Sequence, residues 1–229
     1  MLRTIRRGPS RPEQVLLLLP GYGDRPDYFL DRVDQFDPEH RWLVVVPEPR
    51  IDSADGPIWY SVDENGLDQE AFAASLAALG DCAAEILTET GIGPDRFVVA
   101  GFSQGGALAL ATLLTPSFRP TPVAVAVLAG YLPDHDALDL ATAAGCRVLV
   151  AHGSDDETVD IIRGRSAAKA LTRSDAIVSW SEVDGGHRFG TDLLEPFRVW
   201  LADLAPDLTR GTIRHKDGTE PLNDGEGAQ

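Results

Sequence analysis

Five residues near the middle of the chain, Gly101-Phe102-Ser103-Gln104-Gly105, have the spacing of a nucleophile turn. An apolar run, Phe97–Ala100, precedes them, and a segment apolar on nearly every side, Gln104–Leu114, follows. Strand, sharp turn and helix is the context in which a G-x-S-x-G pattern lifts a serine hydroxyl above a sheet. The spacing has a steric origin: the residues two before and two after the serine approach closely, so both are glycine. The Gln104 N–H, at the start of the helix, then points at the reaction centre. The chemistry implied is attack on an acyl carbon, with Ser103 as the nucleophile.

A serine hydroxyl is a weak nucleophile without an adjacent base. The histidines are His40, His135, His152, His187 and His215. Where this kind of turn carries a triad, the chain order is serine, acid, histidine. His40 precedes Ser103, and His215 lies in a polar tail. His135 has no acid at a strand end between it and Ser103, and His152 comes before the best acid candidates. His187 follows the Ile177–Val183 run in Asp184-Gly185-Gly186-His187, where the glycines free the loop to reach over Ser103. It is the expected base. The acid is expected just after the Val148–Ala151 run, where Asp155, Asp156 and Glu157 are all available. Spacing does not choose among them; the role needs a buried carboxylate that accepts from the histidine Nδ1–H. Earlier, the Val15–Leu19 run ends in Pro20-Gly21-Tyr22-Gly23-Asp24. A glycine-rich turn there can aim a second N–H at a developing oxyanion, so the Tyr22 and Gln104 amides are the expected oxyanion donors. This chemistry calls for no metal and no organic cofactor.

These residues must be positioned by the elements around them. Val15–Leu19, Trp42–Val46, Phe97–Ala100, Val123–Leu128 and Val148–Ala151 are continuous apolar runs, as expected of strands buried on both faces. Ile177–Val183 alternates more. Helical patterns lie between them. In Glu70–Thr90, Phe72, Leu76, Leu79, Ala83 and Ile86 form one apolar stripe. Ile161–Leu171 is a weaker pattern, and Asp192–Leu204 shows another stripe. Strands alternating with helices predict an α/β fold: a mostly parallel central sheet with helices on both faces. Ligands then bind at the carboxyl ends of the strands. The expected organisation is one domain over residues 14–205. An N-terminal extension, 1–13, could add an edge strand, and a polar tail, 206–229, is expected to fray. Pro47–Asp68 has no period and carries Trp59 and Tyr60; a loop this long in a compact domain is often functional.

The bulk properties exclude several function classes. Among 229 residues, 20 basic and 36 acidic side chains leave a formal charge of −16. That field repels nucleic acid and anionic membrane surfaces. Apolar residues at 43% suffice for a core. Two cysteines, Cys82 and Cys146, make no disulfide framework. No apolar leader segment and no bilayer-length apolar run is seen, so a cytoplasmic protein without stable membrane insertion is expected.

In total the motifs resemble those of the phospholipase/carboxylesterase family of α/β-hydrolases, which includes the acyl-protein thioesterases, from about Gln14 to Leu204. Leu19–Asp24 is similar to L-H-G-x-G-D. Gly101–Gly106 matches G-F-S-Q-G-G, the most specific of these motifs. Ala129-Gly130-Tyr131-Leu132-Pro133 is similar to S-G-Y-L-P, His152-Gly153 with Asp156 fits H-G-x-x-D-x-x-V, and Gly186-His187 fits the G-H of the base. Trp59-Tyr60 falls where the family has an aromatic pair. The resemblance implies that Asp156 is the triad acid and that Trp59 and Tyr131 line the acyl groove. It also implies a small ester, lysophospholipid or thioester as substrate, and a monomer or homodimer. Two positions depart from the pattern: Pro20 stands in place of histidine, and Asp160 in place of the usual proline. Two other readings are a hydrolase-fold binding or scaffold protein without catalysis, and a dienelactone-hydrolase-like enzyme. The second of these resembles a cysteine nucleophile where this chain has Ser103.

Overall fold

The computed structural model describes residues 2–64 and 66–209. In chain order, β1 (Thr4–Arg7), β2 (Gln14–Leu19), α1 (Pro26–Leu30), α2 (Val33–Phe36) and β3 (Trp42–Pro47) build the first part. Two small antiparallel ribbons follow, β4 (Ile51–Ser53) with β5 (Gly56–Ile58), and β6 (Val62–Asp63) with β7 (Gly66–Leu67). Then come α3 (Gln69–Thr90), β8 (Phe97–Phe102), α4 (Gln104–Leu114) and β9 (Ala124–Leu128). The last part is β10 (Arg147–Gly153), α5 (Ile161–Arg173), β11 (Ile177–Val183) and α6 (Thr191–Thr209).

Seven strands form one sheet in the order β1-β3-β2-β8-β9-β10-β11. Every pairing is parallel except β1 with β3. The expected mostly parallel sheet is therefore what the chain forms. Because strand side chains alternate, β2 feeds two separate cores. Val15, Leu17 and Leu19 face a layer of α3, α4 and α5, including Phe72, Leu79, Leu108 and Leu171. Leu16 and Leu18 face α1, α2 and α6, including Phe29, Phe36, Phe197 and Leu201. Burial on both faces explains the continuous apolar runs.

Local signals set the helix ends. The Asp68 carboxylate accepts the Ala71 N–H at 2.9 Å and starts α3, and Gly91 at φ 67° ends it. Asp160 accepts the Ile162 N–H at 2.8 Å and caps α5. α3 is long and apolar enough by composition to cross a bilayer, but half of its most apolar stretch is buried inside the molecule. The aperiodic Pro47–Asp68 stretch is less loose than its sequence suggests: the two ribbons occupy it. α6 continues to Thr209, past the boundary expected at 205; the rest of the expected tail, 210–229, lies outside the described residues. Neither Cys82 nor Cys146 forms a disulfide, and burial pushes the Cys82 thiol up to about 11.

Leu17 sits at the centre of the sheet with no exposed surface. Leu17→Ala should lower unfolding free energy by about 2–5 kcal/mol, read from urea unfolding curves. A smaller loss would mean that this face of the sheet collapses around the gap.

Candidate active site

The site lies at the carboxyl ends of β2, β8 and β10 and beyond β11. At the end of β8 the chain turns sharply. Ser103 has φ 53° and ψ −119° and precedes the first residue of α4. A non-glycine residue in such a region costs about 1–3 kcal/mol and persists only where its surroundings hold it. Here its N–H donates to the Leu128 carbonyl on β9 at 2.8 Å, and its carbonyl accepts the Ala107 N–H at 3.1 Å. The flanking glycines are sterically required. A Cβ on Gly101 would collide with the Gly105 carbonyl, and one on Gly105 would collide with the carbonyls of Leu19 and Pro20. The turn leaves Ser103 only 8% exposed.

His187 Nε2 lies 2.8 Å from Ser103 Oγ, and His187 Nδ1 lies 2.7 Å from Asp156 Oδ2. The Phe102 ring packs beside the imidazole, centroids 4.8 Å apart. Of the three carboxylates after β10, Asp155 and Glu157 are exposed and Asp156 is buried. Its other oxygen, Oδ1, accepts the Thr158 and Val159 N–H groups at 2.9 and 2.8 Å. The loops carrying Asp156 and His187 are tied directly: the Asp155 N–H donates to the Gly185 carbonyl at 2.9 Å. A Cβ on Gly153 would strike that same carbonyl, so the close approach requires glycine there. The other described histidines stand elsewhere, and His215 lies outside the described residues. His135 caps the Ala137 N–H at 3.1 Å, His40 faces Asp34, and His152 is fully buried behind Asp156.

Facing Ser103 is the turn after β2. The Gly23 N–H donates to the Pro57 carbonyl on β5 at 3.0 Å, and the Asp24 N–H reaches back to Gly21 at 3.3 Å. A Cβ on Gly21 would lie 3.3 Å from the Ser103 Cβ, so this turn abuts the nucleophile. Among the described residues, the Tyr22 and Gln104 backbone N–H groups donate to no protein acceptor.

The sequence-level expectation for Trp59 needs correction. Its side chain is completely buried and offers no surface to a substrate. The reason is a polar clamp. The indole Nε1–H donates to the Pro20 carbonyl at 2.8 Å, and the Trp59 N–H donates to Gln104 Oε1 at 2.9 Å. Gln104 Nε2 donates in turn to the Tyr60 carbonyl at 2.8 Å, and Ser75 Oγ holds the Trp59 carbonyl at 2.6 Å. Trp59 and the Gln104 side chain therefore fasten the Pro20 turn to the nucleophile turn. Sequence reasoning saw an aromatic in a long loop; the indole N–H, which needs a buried acceptor, was the available signal. Tyr131 is half-buried, its hydroxyl 3.0 Å from that of Tyr60 and its ring under the Arg163 guanidinium at 3.8 Å.

Asp24 is a further site carboxylate that the sequence reading did not single out. Burial raises its carboxyl above the usual range, while the Gly21 backbone amide and the His187 imidazole pull it partly back. A raised carboxyl pKa means that the folded chain binds the proton more tightly than the unfolded chain. The favourable contribution is complete below the ordinary value of 3.8 and is lost as pH rises through the folded value. Asp24→Asn should therefore be more stable than the parent at neutral pH, with the gap closing below about pH 4. Thermal unfolding at both pH values checks this. Trp59→Phe removes the N–H on Pro20 and should cut kcat about tenfold with KM little changed, read from steady-state ester hydrolysis.

A family model described as phospholipase/carboxylesterase matches residues 2–201. A probable carboxylesterase of Arabidopsis thaliana is 28% identical over 215 residues, covering 86% of this chain and 81% of the relative. Acyl-protein thioesterase 1 of Mycosarcoma maydis is 34% identical over 131 residues, 50% of this chain and 53% of the relative. The crystal structure of a Bacillus cereus carboxylesterase superposes with a TM-score of 0.77 at 21% identity, covering 90% of this chain and 95% of that one. With nearly its whole sheet-and-helix body matched, the chain belongs to the phospholipase/carboxylesterase family, on an α/β-hydrolase fold.

Proposed function

We propose that the chain is a serine carboxylesterase that hydrolyses small carboxylic esters or thioesters through an acyl-enzyme on Ser103. The observation that carries this reading is the unbroken relay from Ser103 Oγ to His187 at 2.8 Å and on to Asp156 at 2.7 Å. His187 Nε2 takes the Ser103 proton as Oγ bonds to the acyl carbon. Asp156 fixes the tautomer that leaves Nε2 as acceptor and stabilises the imidazolium that forms. The Tyr22 and Gln104 amides receive the oxyanion; such a donor contributes roughly 3–4 kcal/mol to the transition state. Collapse of the tetrahedral adduct breaks the bond to the leaving alcohol or thiol, which takes the proton from His187. Water then repeats the sequence on the acyl-enzyme, and Ser103 regains its proton.

The family match supports the ester and thioester class. Tyr131, half-buried beside Tyr60 and Gln104, is the aromatic we assign to the acyl side of the cleft. The reaction proceeds with protein groups alone, and the reading carries a cytoplasmic monomer or homodimer.

Ser103→Ala should abolish turnover of p-nitrophenyl acetate while circular dichroism and thermal unfolding stay near the parent. The parent should be labelled by a fluorophosphonate probe and the variant should not. Full turnover in Ser103→Ala, or a parent that resists the probe, would overturn the assignment.

A further inference from the structure

His152 has no part in the proton relay, yet it is completely buried beside it. It stands near the end of β10, one residue inside the glycine that lets the acid and base loops meet. Its Nε2 lies 2.7 Å from the Val159 carbonyl, an obligate acceptor, so Nε2 carries the proton. The same nitrogen lies 3.3 Å from Asp156 Oδ2, the oxygen that His187 uses. On the far side of the ring, Nδ1 has no hydrogen-bond partner among the described residues. It faces the backbone of Gly164 in α5, where an added Cβ would lie only 2.5 Å from it. A bare lone pair against a glycine is consistent with the Nε2–H tautomer. The helix has to be glycine there to let the ring in.

The consequence for Asp156 is three hydrogen bonds and a second imidazole held close by. Two backbone amides hold Oδ1, and two imidazoles face Oδ2. The amide of Val159 and its carbonyl both belong to this knot, the first on Asp156 and the second on His152. We propose that His152 is a positioning residue: its Nε2–H, donated to the Val159 carbonyl with Asp156 Oδ2 3.3 Å away, locks the Asp156–Val159 turn and fixes which carboxylate oxygen meets His187. The inference rests on the reading of Asp156 as the triad acid.

The Nε2–H also draws on the charge of Oδ2. The titratable groups around His187 are Asp156 from the loop after β10, with His152 behind it, and Asp24 from the turn after β2. Removing the His152 donor leaves more of the Oδ2 charge to the imidazolium, and it loosens the turn. In His152→Leu, kcat for a p-nitrophenyl ester should fall about tenfold or more with KM little changed. The acid limb of kcat/KM should move up by about half a pH unit. In His152→Gln an amide N–H can reach the Nε2 position, and both values should return most of the way to the parent.

Parental kcat with a parental acid limb in His152→Leu would overturn the proposal. So would a fall in kcat that tracks loss of folded protein while the limb stays put. A readout on the unaltered protein stands beside these variants: nitrogen-15 spectra should show His152 as the Nε2–H tautomer with Nδ1 unprotonated. The Nδ1–H tautomer would overturn the proposal whatever the variants do. Failure of the triad reading itself looks different, since Ser103→Ala would then stay active. A dead Ser103→Ala with a fully active His152→Leu removes only the role of His152.

Discussion

The backbone of Ser103 is the constraint on which the site depends. At φ 53° it occupies a region that side chains other than glycine avoid. What holds it is the surrounding sheet: β8 is hydrogen-bonded between β2 and β9, and the Leu128 carbonyl fixes the serine amide. The same turn brings the first amide of α4, the Pro20 carbonyl and the Gly105 backbone into one small volume. Glycines on either side are the only residues that fit. The strained turn, the Gln104 amide at the start of α4 and the placement of the serine hydroxyl are therefore one geometric solution rather than separate features.

Around that turn, polar groups are arranged as two fastenings. One runs through the Trp59 indole and the Gln104 amide and holds the turn after β2 against the nucleophile. The other closes on Asp156, whose oxygens accept from Thr158, Val159 and His187, with His152 3.3 Å away and bound to the Val159 carbonyl. Both lie out of solvent, where a hydrogen bond is strong and an unmade one is costly. Electrostatic stabilisation of a transition state depends on dipoles that need not reorganise. Buried fastenings of this kind supply that property.

Much of this was legible in the sequence, for identifiable reasons. The strands of β2, β3, β8, β9 and β10 announced themselves because burial on both faces leaves unbroken apolar runs. The Gly101–Gly105 turn was legible because its sterics admit few residue types. Among Asp155, Asp156 and Glu157 the local pattern offered no choice, since burial is decided by the loop's path and not by its composition. Trp59 was misjudged for the converse reason. The family resemblance assigned it to the acyl groove, whereas its N–H finds its partner at Pro20, 39 residues away, which no local pattern reveals. His152 was weighed as a base and set aside. Its contact with Asp156 follows from the length of β10, which continues two residues beyond the apolar run.

The separation of the relay along the chain has a consequence for how the molecule comes into being. Ser103 and His187 are 84 residues apart, and His187 and Asp156 are 31 apart. Each sits on a different crossover of a parallel sheet, so none can meet another until the intervening helices have docked. Hydrolytic competence is thus a property of the finished topology, absent from any collapsed intermediate. Ser103, Asp156 and His187 therefore come together only once β8, β10 and β11 have taken their places in the sheet.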